Sequence, residues 1–466
     1  MGAHGGRSEV IEQRAIEYIP LNERHGRPNT LFTIWFASNA QITAVATGLL
    51  ATVVFGLSLP WAIAAILIGN LVGCLFMAYH SVQGPRLGMP QMIQSRAQFG
   101  MFGAVLPILA VVLLYIGFFT SSAILGGEAL SRLLHVSTNW GIVICDAITL
   151  VMVWVGYDLI HRYDRWASVL FAAVFIAITV KMLTVTRPAY HGHADTAASI
   201  LLAISVFVSW QITWAPYVSD YSRYLPQDTP SSRTFWYTYA GSAIGAIWFM
   251  IIGAYGGILA PAAITANTAG YFADLFPSVQ WLILLTAVLG IFAANVENLY
   301  GPFLSGAAAV SPSGRVGSAP VARFLAAAAV ATLGTLLAIL ASPHFLTDLS
   351  NFVLFLLYFM IPWTAINLTD YYLVRRGHYD IEDFFKIDGQ YGPVNWWGVG
   401  IYVVTIGVEI PFINSSLYVG PIATDLGGAD ISWIVGFIFA AVVYYLAARR
   451  GQPAAGKRVP EPTPAR

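Results

Sequence analysis

The sequence is short of charge. Only 10% of its 466 residues are Asp, Glu, Lys or Arg, against roughly 25% in an ordinary soluble domain. A chain of this size cannot cover its surface with so few charged side chains if water is its solvent, which excludes a cytosolic enzyme and a disordered regulator. The formal net charge is +0 with no basic patch, which excludes a nucleic-acid binder. Cysteine is nearly missing: Cys74 and Cys145 both fall in apolar runs, so there is no disulfide framework and no redox or zinc motif. HExxH, GxSxG and a P-loop are absent too, leaving membrane proteolysis and ATP-driven pumping without a motif. The first 30 residues have no apolar h-region, and Gly2 lacks the Ser or Thr that myristoylation wants at position 6.

Hydrophobic residues are abundant, at 57% of the chain, with 14% aromatic and a mean hydropathy of +0.68. Crossing ~30 Å of hydrocarbon takes about 20 helical residues. Leu31 to Tyr79 carries no formal charge and is too long for one crossing; Ser58-Leu59-Pro60 divides it into two. The same reading along the chain gives twelve spans, near 31–55, 60–80, 104–134, 140–158, 165–186, 198–219, 235–260, 278–309, 320–342, 346–373, 394–413 and 430–449. The segments do not alternate as barrel strands would, and helices satisfy the backbone in lipid. Residues 1–30 read as a polar tail, and 450–466, with four prolines, as a disordered one. With both termini cytoplasmic, every Lys and Arg except Arg132, Lys181 and Arg187 falls on the cytoplasmic side, as the positive-inside rule asks of a cell-membrane protein with an even span count.

Transporter sites sit where two helices unwind in corresponding positions of an inverted repeat. The first span contains Ala37-Ser38-Asn39-Ala40-Gln41, and the sixth Trp210-Gln211-Ile212-Thr213-Trp214-Ala215-Pro216, in which Pro216 removes a backbone donor. The two lie five spans apart. Of the intramembrane acids, Glu297 is the deepest, flanked by Asn295 and Asn298; a carboxyl buried there suits a group that takes up and releases a proton in each cycle. Asp146 and Glu409 are expected nearer helix ends, within reach of water or headgroups. Asp158, Asp220 and Asp370 are expected to pair with Arg162, Arg223 and Arg375. Tyr115, Phe118, Phe119, Trp210 and Trp214 could stack on a flat ring. Gly69/Gly73, Gly241/Gly245 and Gly253/Gly257 have the spacing of close helix packing. His191-Gly192-His193 lacks a third metal ligand and reads as an exposed loop.

Three segments carry a resemblance. Gly84-Pro85-Arg86-Leu87-Gly88-Met89-Pro90-Gln91-Met92, continuing through Ser95-Arg96 to Phe99-Gly100, resembles the signature between spans two and three of the nucleobase:cation symporter family, class one. Trp214 to Arg223 resembles that family's sixth-helix ending, and Asn367 to Arg376 the end of its tenth helix. The purine–cytosine permease branch is the most similar, with hydantoin and allantoin carriers as cousins. The resemblance implies an all-α membrane fold of twelve helices. Ten form a five-plus-five inverted repeat of the leucine-transporter kind (31–186 and 198–373), and two more follow at 394–449. It implies a flat heterocycle clamped between aromatics of spans three and six and hydrogen-bonded from spans one and eight. Carried onto this sequence, the substrate contacts are Gln41 and Asn39, Tyr115 and Phe119, Trp210 and Trp214, and Glu297 and Asn298.

Departures from the family pattern bear on the coupling ion. Phe119 stands where nucleobase permeases often carry asparagine. Ala37 and Ala40 could offer carbonyls to sodium, but Phe292 and Ala293 replace the hydroxyl side chains of sodium-driven members, so any site near Ala37, Ala40 and Ala293 is weak. Glu297 replaces a proline of fungal relatives and could accept two N–H bonds from a purine-like edge or carry the proton. The expectation is therefore secondary active uptake of a planar nitrogenous heterocycle by proton symport, without a cofactor, nucleic acid or obligate protein partner. The alternatives are sodium-coupled uptake of a hydantoin, allantoin or vitamin-like ring, and a membrane receptor without net flux.

Overall fold

The computed structural model describes residues 16–155, 157–185, 195–310 and 320–451. His191, His193 and Arg187, the far ends of both tails, and the side chains of Asp158 and Arg162 lie outside the described residues. Each apolar interval of the sequence is mainly helical over its described residues, and β-pairing among them is limited to one isolated bridge, Asn414 to Val419.

The first interval is two helices, α1 (Asn29–Asn39) and α2 (Ile42–Leu49), with α2 running on in a wider turn, Leu50–Val54. Pro60 then sits in the first turn of α3 (Leu59–Ser81), where its missing N–H has no partner to lose. After α4 (Val105–Leu134), α5 (Thr138–Val155) and α6 (Tyr157–Leu183) comes α7 (Ala197–Ile212), which gives way to a tight turn, Ala215–Tyr217, and the short α8 (Val218–Ser222). The chain continues through α9 (Ser231–Leu259), α10 (Gln280–Val310), α11 (Pro320–Ala341), α12 (Phe345–Thr369), α13 (Trp396–Glu409) and α14 (Ser432–Gly451). By length and apolarity seven helical stretches among the described residues can cross a membrane, or eight if the bent pair α1–α2 counts as one. Thr138–Trp154, Leu170–Leu183 and Trp396–Phe412 are shorter apolar helices.

Glycine seams hold the helices around the breaks. A Cβ on Gly69 or Gly73 of α3 would run into Phe207 and Gln211 of α7. One on Gly241 or Gly245 of α9 would meet the α1 backbone at Phe32 and Phe36. Farther along α9, Gly253 and Gly257 abut Val45 and Thr52 in the second half of the broken pair, while Gly48 of α2 abuts Met250. All three small-residue pairs therefore do what their spacing suggested, letting backbones approach where a larger residue would hold them apart.

The three family-like segments meet in space. Gln91 donates its main-chain N–H to the Asp220 carboxylate (2.8 Å), and Ser219 Oγ donates to Gln91 Oε1 (2.6 Å). Gln91 Nε2 reaches Gln83 Oε1 (3.1 Å), and Gln83 Nε2 donates to Asn367 Oδ1 (2.8 Å). Asp370 is a hub: it accepts from Gln98 Nε2 (2.7 Å), Tyr379 OH (2.8 Å) and Tyr444 OH (3.1 Å), and forms the expected ion pair with Arg375 (3.2 Å). Arg223 Nε donates to the main-chain oxygen of Asp220 (3.2 Å). These residues are mostly buried, so the bonds satisfy polar groups that water does not reach.

Two acids depart from expectation. Asp146 is buried in the middle of α5 and accepts from Thr335 of α11 (2.6 Å), so it fastens helices rather than reaching water. Glu409 is wholly buried against Gly436 of α14, because α13 ends beneath the turn that leads into that helix.

Candidate functional site

The first break follows from its residues. Ala40 leaves helical geometry (φ −80°, ψ 64°), its N–H turning back to the Phe36 and Ala37 carbonyls, and Gln41 is extended (φ −140°, ψ 158°). The axis bends by 61° here. Gln41 Nε2 folds back on the Ser38 carbonyl (2.8 Å), satisfying an acceptor left over by the break. At the second break Thr213 Oγ1 donates to the Trp210 carbonyl (2.7 Å), and Pro216 lies in the tight turn, where no helical N–H is needed.

One buried network ties the two breaks together. Trp210 Nε1 donates to Asn39 Oδ1 (2.7 Å), and Asn39 Nδ2 donates to the Trp35 carbonyl (2.8 Å) and to Ser242 Oγ (3.0 Å). Ser242 Oγ donates to Gln211 Oε1 (2.6 Å), and Gln211 Nε2 donates to Asn70 Oδ1 (2.8 Å). Four helices, α1, α3, α7 and α9, are thereby joined through side chains that are all buried. Removing one member strands its neighbours, which costs about 1–3 kcal/mol for each unsatisfied group.

Beside the network runs a chain of rings. Phe118 of α4 meets Trp210 edge-on (5.6 Å between centroids), Trp210 meets Trp214 (6.2 Å), and Trp214 meets Tyr217 (5.7 Å). Tyr217 in turn stacks on Tyr115 of α4 (5.4 Å, 27° between planes). Tyr115 lies on Gly301 of α10, where a side chain would displace it. Glu297 and Asp220 are both within electrostatic reach of Tyr115 and Tyr217. Trp214 Nε1 and Trp35 Nε1, whose ring meets Trp214 edge-on (5.9 Å), are buried without a hydrogen-bond partner, as is Asn295 Nδ2 on α10. Flat faces next to spare N–H donors can hold a flat heterocycle by stacking and directed hydrogen bonds.

The predicted residues do not all share one surface. Trp210, Trp214 and Tyr115 belong to the ring chain. Asn39 abuts it, but its amide is occupied by the network, so it acts as a strut. Gln41 is half-buried and bonded to its own helix end. Asn298 is half-buried and donates to Asn295 Oδ1 (3.3 Å). Phe119 is wholly buried against Gly334 of α11, turned from the ring chain because one residue on a helix rotates a side chain by about 100°. Glu297, expected buried, is exposed, although Gly301, one turn on along the same face of α10, packs on Tyr115. Ala37 is exposed, its carbonyl accepting the Ala40 N–H, and Phe292 and Ala293 bring no side-chain oxygen from α10. The residues near Ala37, Ala40 and Ala293 thus poorly fit a cation that wants an oxygen shell. Among the described residues no three His, Cys, Asp or Glu side chains converge on a metal position. The substrate reading passed over Tyr217, Ser242 and Asn70; for Tyr217 a signal existed, since it follows Pro216 directly.

Comparison with known proteins gives the family and the fold. The sequence profile of the family described as permease for cytosine/purines, uracil, thiamine, allantoin matches residues 18–436. The YxlA protein of Bacillus subtilis (strain 168) is 44% identical over 438 residues, covering 94% of this chain and 95% of its own. Purine-cytosine permease FCY2 of Saccharomyces cerevisiae is 28% identical, covering 88% of this chain and 80% of its own. Among solved structures, Mhp1 in its inward-facing conformation superposes with a TM-score of 0.74 at 21% identity, over 94% of this chain and 93% of that one. Mhp1 closed around bromovinylhydantoin gives 0.75 at 21% identity, over 94% and 95%. The profile match over most of the sequence and the 44% identical relative show the family: this integral membrane protein, a transporter rather than an enzyme, belongs to the nucleobase:cation symporter family, class one.

Proposed function

We propose that the protein imports a planar, nucleobase-like purine or pyrimidine by proton symport, exposing one site alternately to each side of the membrane. The observation that carries this reading is the ring chain Phe118–Trp210–Trp214–Tyr217–Tyr115 beside two broken helices. A stacked heterocycle would find the unpaired Trp214 Nε1 and Asn295 Nδ2 as donors. The purine-cytosine permeases among its relatives, and the hydantoin bound by Mhp1, favour a flat nitrogenous ring.

Proton coupling is favoured over sodium because α10 brings Phe292 and Ala293 where a sodium ion would need oxygen, and carries the exposed carboxyl of Glu297 within electrostatic reach of Tyr115 and Tyr217. The proposed architecture has twelve crossings: inverted repeats over 31–186 and 198–373, whose first helices are the broken ones, and a further pair over 394–449. Both termini lie in the cytoplasm, in keeping with the distribution of Lys and Arg.

Uptake of radiolabelled adenine and cytosine into proteoliposomes, with pH and sodium gradients imposed separately, tests the reading. Accumulation should follow an inward proton gradient and ignore sodium. Uptake lost without sodium and indifferent to pH would overturn the coupling, and binding without accumulation under any gradient would favour a receptor.

A further inference from the structure

A cavity lies apart from the ring chain, where three long helices have their ends together. The C-terminal end of α3, the N-terminal end of α9 and the turn Asp370–Val374 that follows α12 border an open cleft of about 870 Å³. Its walls are of two kinds. One is aromatic: Tyr79 packs on Phe235 (4.9 Å) and Tyr372 (5.4 Å), and Trp236, 59% exposed, stands at the rim. The other is cationic, with Arg86 and Arg376 both lining the space and both exposed. No Asp or Glu is among the lining residues; Asp370, next to Tyr371 in sequence, is paired with Arg375, and Asp228 lines an adjoining recess that shares Arg86 and Gln227 with this one.

Two further features mark the cavity as built for an anion. Ser231 and Ser232 line it at the first turn of α9, a 29-residue helix whose N-cap Pro230 offers no side-chain cap; the Pro230 carbonyl takes the Arg233 and Thr234 N–H groups, which leaves those of Ser231 and Ser232 without an intrahelical carbonyl. Arg376 holds a left-handed backbone (φ 53°), which a non-glycine residue adopts only at a cost, and this turns the chain at the cavity mouth. Aromatic residues at helix ends mark the level where hydrocarbon meets headgroups, and basic pockets between membrane helices suit phosphate-bearing lipid heads.

We propose that this cavity binds an anionic phospholipid. The phosphodiester lies between Arg86, Arg376 and the start of α9, and the upper acyl chains lie along Tyr79, Phe235 and Trp236. A free phosphate would meet the same cations but leave the aromatic wall uncovered, so the lipid is the occupant.

The test is thermal unfolding and native mass spectrometry of the full chain in detergent, with added dioleoylphosphatidylglycerol, dioleoylphosphatidylcholine or inorganic phosphate. Phosphatidylglycerol should be retained roughly thirty-fold better than phosphatidylcholine, from about one basic-residue contribution for each arginine. In the Arg86→Gln/Arg376→Gln variant that preference should fall to near parity. Both side chains are exposed, so folding in phosphatidylcholine should be kept; should that variant fail to fold, Ser232→Asp places a like charge at the cavity and should abolish the preference alone. Equal retention of the two lipids by the native protein, or a preference unchanged in the variants, overturns the proposal. Inorganic phosphate displacing phosphatidylglycerol at comparable concentration overturns the lipid as occupant.

Discussion

The indole N–H of Trp210 is donated to the side-chain oxygen of Asn39 across 2.7 Å, a direct bond between the two interrupted helices. Neither residue is free to bind substrate with its polar atoms. The pair fixes the position of Trp210's ring, whose face and edge meet Phe118 and Trp214. The polar atoms build the frame and the rings supply the surface.

Asn39→Ala removes the acceptor from Trp210 and the donor to Ser242 at once. Folding stability should fall by about 1–3 kcal/mol per stranded group, and uptake should be lost. Trp210→Phe keeps a ring and removes only the donor, so it should lose less stability than Asn39→Ala. Thermal unfolding of both purified variants checks the order.

Phe118 and Phe119 are neighbours in sequence with opposite surroundings, so their alanine variants should separate. Phe118→Ala should raise the substrate KM with modest loss of stability, by about 1–3 kcal/mol of stacking if it behaves as other base-stacking aromatics do. Phe119→Ala empties a packed position against Gly334 and should cost about 3–5 kcal/mol of stability without changing KM. A KM effect confined to Phe119→Ala would show that the ring chain is not the binding surface.

Glu297→Gln deletes the titratable group and keeps the shape. Because the side chain is exposed, folding should be unaffected. Concentrative uptake should vanish while exchange of substrate across the membrane persists. Full accumulation by this variant would remove Glu297 from the coupling.

Asp370→Asn leaves Arg375 without its buried counter-charge while Gln98, Tyr379 and Tyr444 still crowd the site. Breaking a buried ion pair on one side costs about 3–5 kcal/mol. The variant should unfold at lower temperature yet bind substrate normally once folded, which equilibrium binding on the surviving fraction would measure.

Much of this was legible in the sequence because the chemistry is local. Polar residues at Asn39 and Gln41 and the proline at 216 interrupt helices wherever they occur, so the breaks could be placed. Glycines four apart announce close packing for the same reason. Azimuth was not legible. A helix that is apolar all round carries no periodic signal to tell Phe118 from Phe119, or an exposed Glu297 from a buried one. Burial of Glu409 was hidden because it depends on where a later helix, α14, folds back. The resemblance of the segments at 84–100, 214–223 and 367–376 suggested a family, but their mutual bonding shows why such segments go together: they are parts of one polar clamp.

The glycine seams along α9 have a mechanical consequence. One unbroken helix is fastened to α1 through Gly241 and Gly245 and to the far limb of the elbow through Gly253 and Gly257. It works as a splint across the joint. The elbow therefore cannot straighten while both seams hold. Any motion that opens one end must either carry splint and both limbs as a single lever or peel α1 from its seam alone.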